Sequence, residues 1–220
     1  MSATTVHNVS FHGVGEPPRP LDHGEAMVWL RTDRFAAILD ALHGRDDVRL
    51  SFDDSNRSDV DVALPLLLER GMTATFFVLA GRLEDPHHLG VDDLRRLRDA
   101  GMTIGSHGLH HIDWRRCEAD ALARELAESR TILEDAVGDV VDQAAIPFGS
   151  YDRRVLAQAR RDGRYARMYT SDSGPARAGA WLQPRTSVAN DGVAPSALAQ
   201  PPGVAARAER TLKGLVKRWR

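Results

Sequence analysis

Two histidines four residues apart, His107 and His111 in "SHGLHH", place two imidazoles on one side of a helical turn or tight loop. Two such nitrogens can bind one divalent ion, and a carboxylate from elsewhere would complete a His2Asp set with positions left for water and substrate. The spacing names no metal, and pairs of this kind are also common surface or core residues. An acidic pair, Asp53 and Asp54 in "SFDDSN", supplies the missing ligand type. Adjacent carboxylates resist joint ionisation unless a cation or donor stabilises them, so a metal on one would leave the other free as a base. "DDSN" is equally ordinary turn and capping chemistry. A third cluster, "IPFGSYD" (146 to 152), has Pro147 and Gly149 shaping an irregular turn that can aim backbone N–H groups at a developing oxyanion, or can simply join a strand to a helix.

These clusters need elements to hold them. "VRLSF" (48 to 52) alternates as a strand and ends at the acidic pair, and "TATFFVL" (73 to 79) has strong strand character. "MTIGS" runs into the histidines, while "AAIPFGSYD" and "ARMYTSD" read as two further strand-then-loop units. Between them fall helix-like runs. "DRFAAILDALHG" (33 to 44) has Asp33 as candidate cap and Gly44 as stop; "VDVALPLLLERG" (60 to 71) closes at Gly71 and must be distorted or shifted by Pro65. Residues 91 to 101, 118 to 137 and "RRVLAQARRDG" complete the helices. "NVSFHGVG" reads as a first strand ending at His12, and "LQPRTSV" as a late strand carrying Arg185. Strands alternating with helices imply a parallel sheet, open or rolled into a barrel, whose chemistry gathers at the carboxyl ends of the strands.

With 220 residues, 42% hydrophobic and 27% charged, the chain reads as one domain over 1–220, with its core at about 9–190. Residues 191–220 read as an irregular segment followed by a basic, roughly amphipathic helix, either packed on the domain or offering weak contact to a membrane surface or partner. A net charge of −2 without a long basic stripe gives no reason to propose nucleic acid. No apolar run spans a bilayer, no secretory leader is evident, and the single Cys117 excludes an internal disulfide framework, so a cytoplasmic setting is expected.

In order and spacing, "SFDD", "SHGLHH" and "PFGSYD" resemble the first three motifs of the polysaccharide deacetylases, carbohydrate esterase family 4, and the flanks "ALPLLLERGMTATFFVLAGRL" and "LRDAGMTIGSHGLHH" agree. The resemblance implies a distorted (β/α) barrel of about seven strands with a divalent ion, often zinc, and removal of an N-acetyl group from an amino sugar. By position it makes Asp53 the base, gives the metal to Asp54, His107 and His111, and gives the oxyanion to the metal and the Phe148 N–H beside Pro147. Asp172 in "TSDSG" would position substrate or orient a neighbour, and Trp114 and Trp181 are expected in packing rather than against sugar.

The chain departs from the family pattern at four places. Ser55 stands where Gly is common, Gly108 where Ser or Thr is common, and Ala145 where an Arg often orients the base; Arg185 is expected to pair with Asp53 instead. The family's late histidine, which protonates the leaving amine, has no counterpart, because all nine histidines precede residue 112. His12 is the expected substitute, since the first and last strands of a closed barrel are neighbours; the alternative is a histidine satisfied by its own loop. Loss of that late group also leaves open a carbohydrate-binding relative without catalysis.

Overall fold

The computed structural model describes residues 4–190, apart from 22, 23 and 163, together with residue 198. The irregular segment and basic helix expected over 191–220 therefore lie outside the described residues, Leu198 excepted. Among the described residues eight strands form: β1 Thr5–Phe11, β2 Val48–Phe52, β3 Ala74–Val78, β4 Thr103–Ser106, β5 Gln143–Ala145, β6 Arg167–Thr170, β7 Ala176–Arg177 and β8 Leu182–Ser187. Seven of them pair in parallel in the order β2-β3-β4-β5-β6-β8-β1, and β1 pairs again with β2 to close the ring. The two-residue β7 adds antiparallel to the start of β1. The result is a closed seven-stranded (β/α) barrel, as expected from the alternation of strands and helices.

The helices are α1 Thr32–Leu42, α2 Leu64–Glu69, α3 Val91–Asp99, α4 Ala119–Val137 and α5 Arg153–Asp162. Two sequence expectations shift here. Asp33 is not the cap of α1: Arg31 occupies that position, and Asp33 sits in the first turn, accepting the Arg34 N–H and pairing with Arg31. A negative charge there still suits the unpaired N–H groups of the helix start. The helix expected over 60 to 71 begins instead as a wide π-turn, Asp59–Ala63, that feeds α2, with Pro65 in the first α turn. A proline lacks an N–H and crowds the carbonyl four residues back, and a widened turn before it relieves both.

Period-two alternation sets what faces the barrel axis. On the outer face, Phe11, Phe52 and Phe76 stand in register on β1, β2 and β3. Their rings pack on one another and on Phe35 of α1, with centroids 4.8 to 5.8 Å apart. The inner positions of the same strands carry polar groups. Asn8 donates to Gln183 across β1 and β8, and Ser10 bonds Ser187. Continuing that parity puts Asp53 after Ser51 on β2, and His12 after Asn8 and Ser10 on β1, at the carboxyl mouth. Gly105 on β4 is demanded by packing: a Cβ there would lie 2.6 Å from the Phe77 ring.

Candidate active site

The acidic pair is split by a turn. Asp53 keeps the strand's inward direction, and its N–H bonds the Phe11 carbonyl. Asp54 and Ser55 then adopt φ of 71° and 53°, the left-handed region. Two such residues in succession turn the chain sharply, so the second carboxylate meets the histidine loop instead of pointing away from the barrel. Ser55, where the resemblance favours glycine, carries the strain of that backbone with its hydroxyl accepting the Leu79 N–H.

Asp53 is 3% exposed and Arg185 is fully buried. The guanidinium donates from Nη1 and Nη2 to the two carboxylate oxygens, each at 2.6 Å, and from Nη1 to Ser51. It lies over the Phe77 ring at 5.0 Å and near Tyr169 at 5.8 Å. Ala145, where an arginine is often found, packs with those same two rings, so the cation comes from β8 into space that a longer residue on β5 would otherwise occupy. Burial pushes the Asp53 carboxyl upward, but Arg185, helped by His107, outweighs it and holds the group below the usual carboxylate range.

His107 follows β4 on its inward parity. Its Nδ1 donates to the Ala145 carbonyl at 2.9 Å, which fixes the tautomer and turns Nε2 toward Asp54. Asp54 Oδ1 lies 3.4 Å from His107 Nε2 and 3.3 Å from His111 Nε2. That oxygen is buried and forms no hydrogen bond of acceptable geometry. An orphaned carboxylate oxygen facing two imidazole nitrogens, all within 4.8 Å of one another, is the donor set of a divalent ion, and these residues fit one. For Asp54, burial pushes the carboxyl up while His107, His12 and His111 pull it far below its ordinary range. For His107 burial acts downward, Asp53 and Asp54 act upward, and the carboxylates win. Burial, then the neighbouring His107, lowers His111 to about 4.

The histidine loop has a support that no sequence motif marked. Glu125 of α4, 2% exposed, accepts the Leu109 N–H at 2.8 Å and the His110 N–H at 3.2 Å, with the Trp114 indole N–H at 3.5 Å. Gly108, at φ +85°, lies against that carboxylate, and a Cβ there would meet Oε2 at 2.5 Å. The departure from Ser or Thr at this position thus follows from a buried glutamate. Glutamate inside a helix with charged neighbours looks like solvated surface; only the fold brings it under the loop. Trp114 is fully buried, Trp181 packs under Arg160 at 4.0 Å, and His110 rests against Gly81, away from the metal-ligand set.

A pocket of about 580 Å³ opens over these groups, lined by His12, Asp53, Asp54, His107, His111, Ile146 and Phe148 among others. His12 falls just after β1, whose last residue is Phe11, and its buried Nδ1 has no hydrogen-bond partner. β1 lies beside β8, as a closed barrel requires. Phe148 at φ +57° and Gly149 at φ +57° form a left-handed turn, and the Phe148 ring covers His111 with centroids 4.3 Å apart. Pro147 and Asp172 are not among the lining residues. Pro147 is buried behind the wall, and Asp172 accepts the Tyr151 hydroxyl at 2.5 Å and the Thr170 hydroxyl at 2.9 Å, next to Ser171, which does line the pocket. Asp59 was also missed: it is buried in the π-turn, where burial, then the charges of Asp54 and Asp53, raise its carboxyl well above the ordinary range.

Residues 41–166 match the family model described as polysaccharide deacetylase. The chain belongs to the polysaccharide deacetylase family. A chitooligosaccharide deacetylase of Rhizobium leguminosarum bv. trifolii is 31% identical to it over 123 residues, 54% of this chain and 55% of the relative. The chain spans about half the length of the curated relatives it matches. Among solved structures, the Streptococcus pyogenes deacetylase PplD in complex with acetate superposes with a TM-score of 0.81 at 20% identity, over 92% of this chain and 100% of that one. A CE4 family pseudoenzyme is also similar, with a TM-score of 0.50 and 22% identity over 57% of this chain and 45% of its own. At such identities these likenesses speak for the fold. Among the described residues, no helix is long and apolar enough to cross a membrane.

Proposed function

We propose that this family member is a metal-dependent hydrolase removing an N-acetyl group from an amino sugar of a polysaccharide, oligosaccharide or glycan precursor. The observation that carries the reading is the convergence of Asp54 Oδ1 with the Nε2 atoms of His107 and His111 beside an arginine-held Asp53. Asp54, His107 and His111 would hold the ion, with zinc expected. Once bound, it would supply an activated water and a polarised acetyl carbonyl.

Asp53, kept ionised by Arg185, takes a proton from the attacking water. The water oxygen bonds to the acetyl carbon, and the negative charge that develops on the carbonyl oxygen is met by the Phe148 N–H. As the carbon–nitrogen bond breaks, the amine needs a proton, because an amide nitrogen leaves poorly as an anion. His12, the remaining imidazole of the pocket, supplies it. Acetate and a free amine result. Pro147 shapes the Phe148 turn, and Asp172 steadies the adjoining wall through Tyr151 and Thr170. A single cysteine suits a reducing, cytoplasmic setting for a precursor substrate.

The test is acetate release from N-acetylated sugars and chitooligosaccharides by the zinc-loaded protein. Asp53→Asn should bind metal and lose turnover, and His12→Ala should do the same; full activity in His12→Ala discards its role. The second reading, a carbohydrate binder without catalysis, is favoured by the missing late histidine. It predicts metal binding with no release from any acyl substrate, whereas release of another acyl group would keep the hydrolase and change its substrate.

A further inference from the structure

Two arginines line the pocket, and they are held in different ways. Arg19 is neutralised: it donates to both oxygens of Glu25, at 2.9 and 2.7 Å, and to Asn56 at 3.2 Å. Arg82, at the end of a 3-10 turn (Ala80–Arg82) after β3, has no carboxylate within ion-pair reach among the described residues. Its Nη1 lies 2.8 Å from His88 Nε2, and His88 Nδ1 lies 3.0 Å from Asp85 Oδ2, a close approach without hydrogen-bond geometry. A guanidinium can only donate, so Nε2 accepts, and the ring proton sits on Nδ1 and faces Asp85. His88 is 4% exposed and its position is fixed. The buried His88 ring therefore holds the Arg82 side chain by one nitrogen and supplies no countercharge at the pocket wall.

The Arg82 charge shares one cavity with the metal-ligand set, since Arg82 lines the same pocket as Asp54, His107 and His111. The carboxylates of the pocket have other partners, Asp53 in Arg185, Glu25 in Arg19, and Asp54 in the two histidines. A bound divalent ion then makes the site strongly cationic. A preorganised guanidinium presents a fork that matches carboxylate or phosphate oxygens.

We propose that Arg82, held in place by His88, is an anion subsite, and that the substrate carries a carboxylate or phosphate close to its acylated amine. The inference rests on the hydrolase reading for its turnover assay but not for its binding assay. Three probes separate the sources of charge: N-acetylglucosamine, N-acetylglucosamine 1-phosphate and N-acetylmuramic acid. With the zinc-loaded wild type, kcat/KM for at least one charged probe should exceed that for the neutral sugar by about ten- to a hundredfold, the range expected for a charge-assisted contact. In Arg82→Gln that ratio should fall toward one. Arg82→Lys should retain part of it, with a steeper loss on adding salt because a point charge replaces the fork.

The phosphate and lactyl arms report which anion is read. Calorimetric binding of the same probes provides the second readout. If no probe is turned over yet the charged ones bind more tightly in an Arg82-dependent way, the hydrolase reading fails and the subsite stands. Equal treatment of charged and neutral probes by the wild type in both assays, or a preference that survives in Arg82→Gln, overturns it.

Discussion

Replacing Arg185 by methionine tests the electrostatic logic of the barrel floor. The perturbation removes a guanidinium with no solvent exposure from two 2.6 Å contacts to a carboxylate that is itself 3% exposed. Two unit charges about 4 Å apart interact by about 4 kcal/mol at the effective dielectric of roughly 20 that suits protein sites. Deleting one partner of such a buried pair generally costs roughly 3–5 kcal/mol, because the survivor is left desolvated and unpaired. Urea denaturation of the metal-free protein at pH 7 should therefore show Arg185→Met destabilised by about that amount. Adding Asp53→Asn should return most of it, since no charge is then stranded.

The pH dependence carries the sign. In the wild type Asp53 lies below its ordinary value, so its contribution to stability is present above the unfolded carboxylate range and is lost as pH falls through the folded value. Without Arg185, burial acts with much less opposition and the carboxyl shifts upward. The gap between wild type and variant should then narrow toward acid pH, and the acid limb of kcat/KM for acetate release should move to higher pH. An unchanged unfolding midpoint together with an acid limb that stays in place would refute the reasoning.

Three further outcomes follow from the same geometry. Glu125→Gln weakens the acceptor that fixes the Leu109 and His110 N–H groups, and zinc affinity measured by competition with a chelator should drop about 10- to 100-fold, with the fold retained by circular dichroism. Zinc binding should release protons, chiefly from His107, whose pKa is raised, rather than from His111 at about 4; equal calorimetric heats in buffers of different ionisation enthalpy would contradict this. Asp59 is held neutral in the folded chain but ionises in the unfolded one, so each pH unit between those two values costs about 1.4 kcal/mol of stability as pH rises. Asp59→Asn should accordingly be more stable than the wild type at pH 7 and lose the advantage near pH 4, which thermal denaturation at the two pH values would reveal.

Much of this site was legible from residue order. Alternation along "VRLSFD" and "NVSFH" already assigns phenylalanines to the helix layer and Asp53 and His12 to the axis, because a strand's side chains have a period of two and a barrel has only two faces. The 3.6-residue pattern fixed the helices in the same local way, and it misplaced what depends on backbone detail: the cap of α1, and the π-turn that absorbs Pro65. Local signals cannot weigh a widened turn against a straight one when the difference is set by how Val60 and Ala63 pack into the core.

The sequence by itself determined the strand–helix alternation, the polar residues at strand ends and a three-motif order that marks the family. Tertiary structure alone decided which groups meet. Ring closure sets Arg185 against Asp53 from 132 residues away, two left-handed residues aim Asp54 at the histidines, and α4 slides Glu125 beneath Gly108. Whether Arg82 finds a carboxylate partner or faces the pocket unneutralised is likewise a matter of distance in space. The physical reason is common to all four: Coulombic and hydrogen-bond energies depend on separations of a few ångströms, which spacing along the chain does not encode once residues are joined through loops and around a closed sheet.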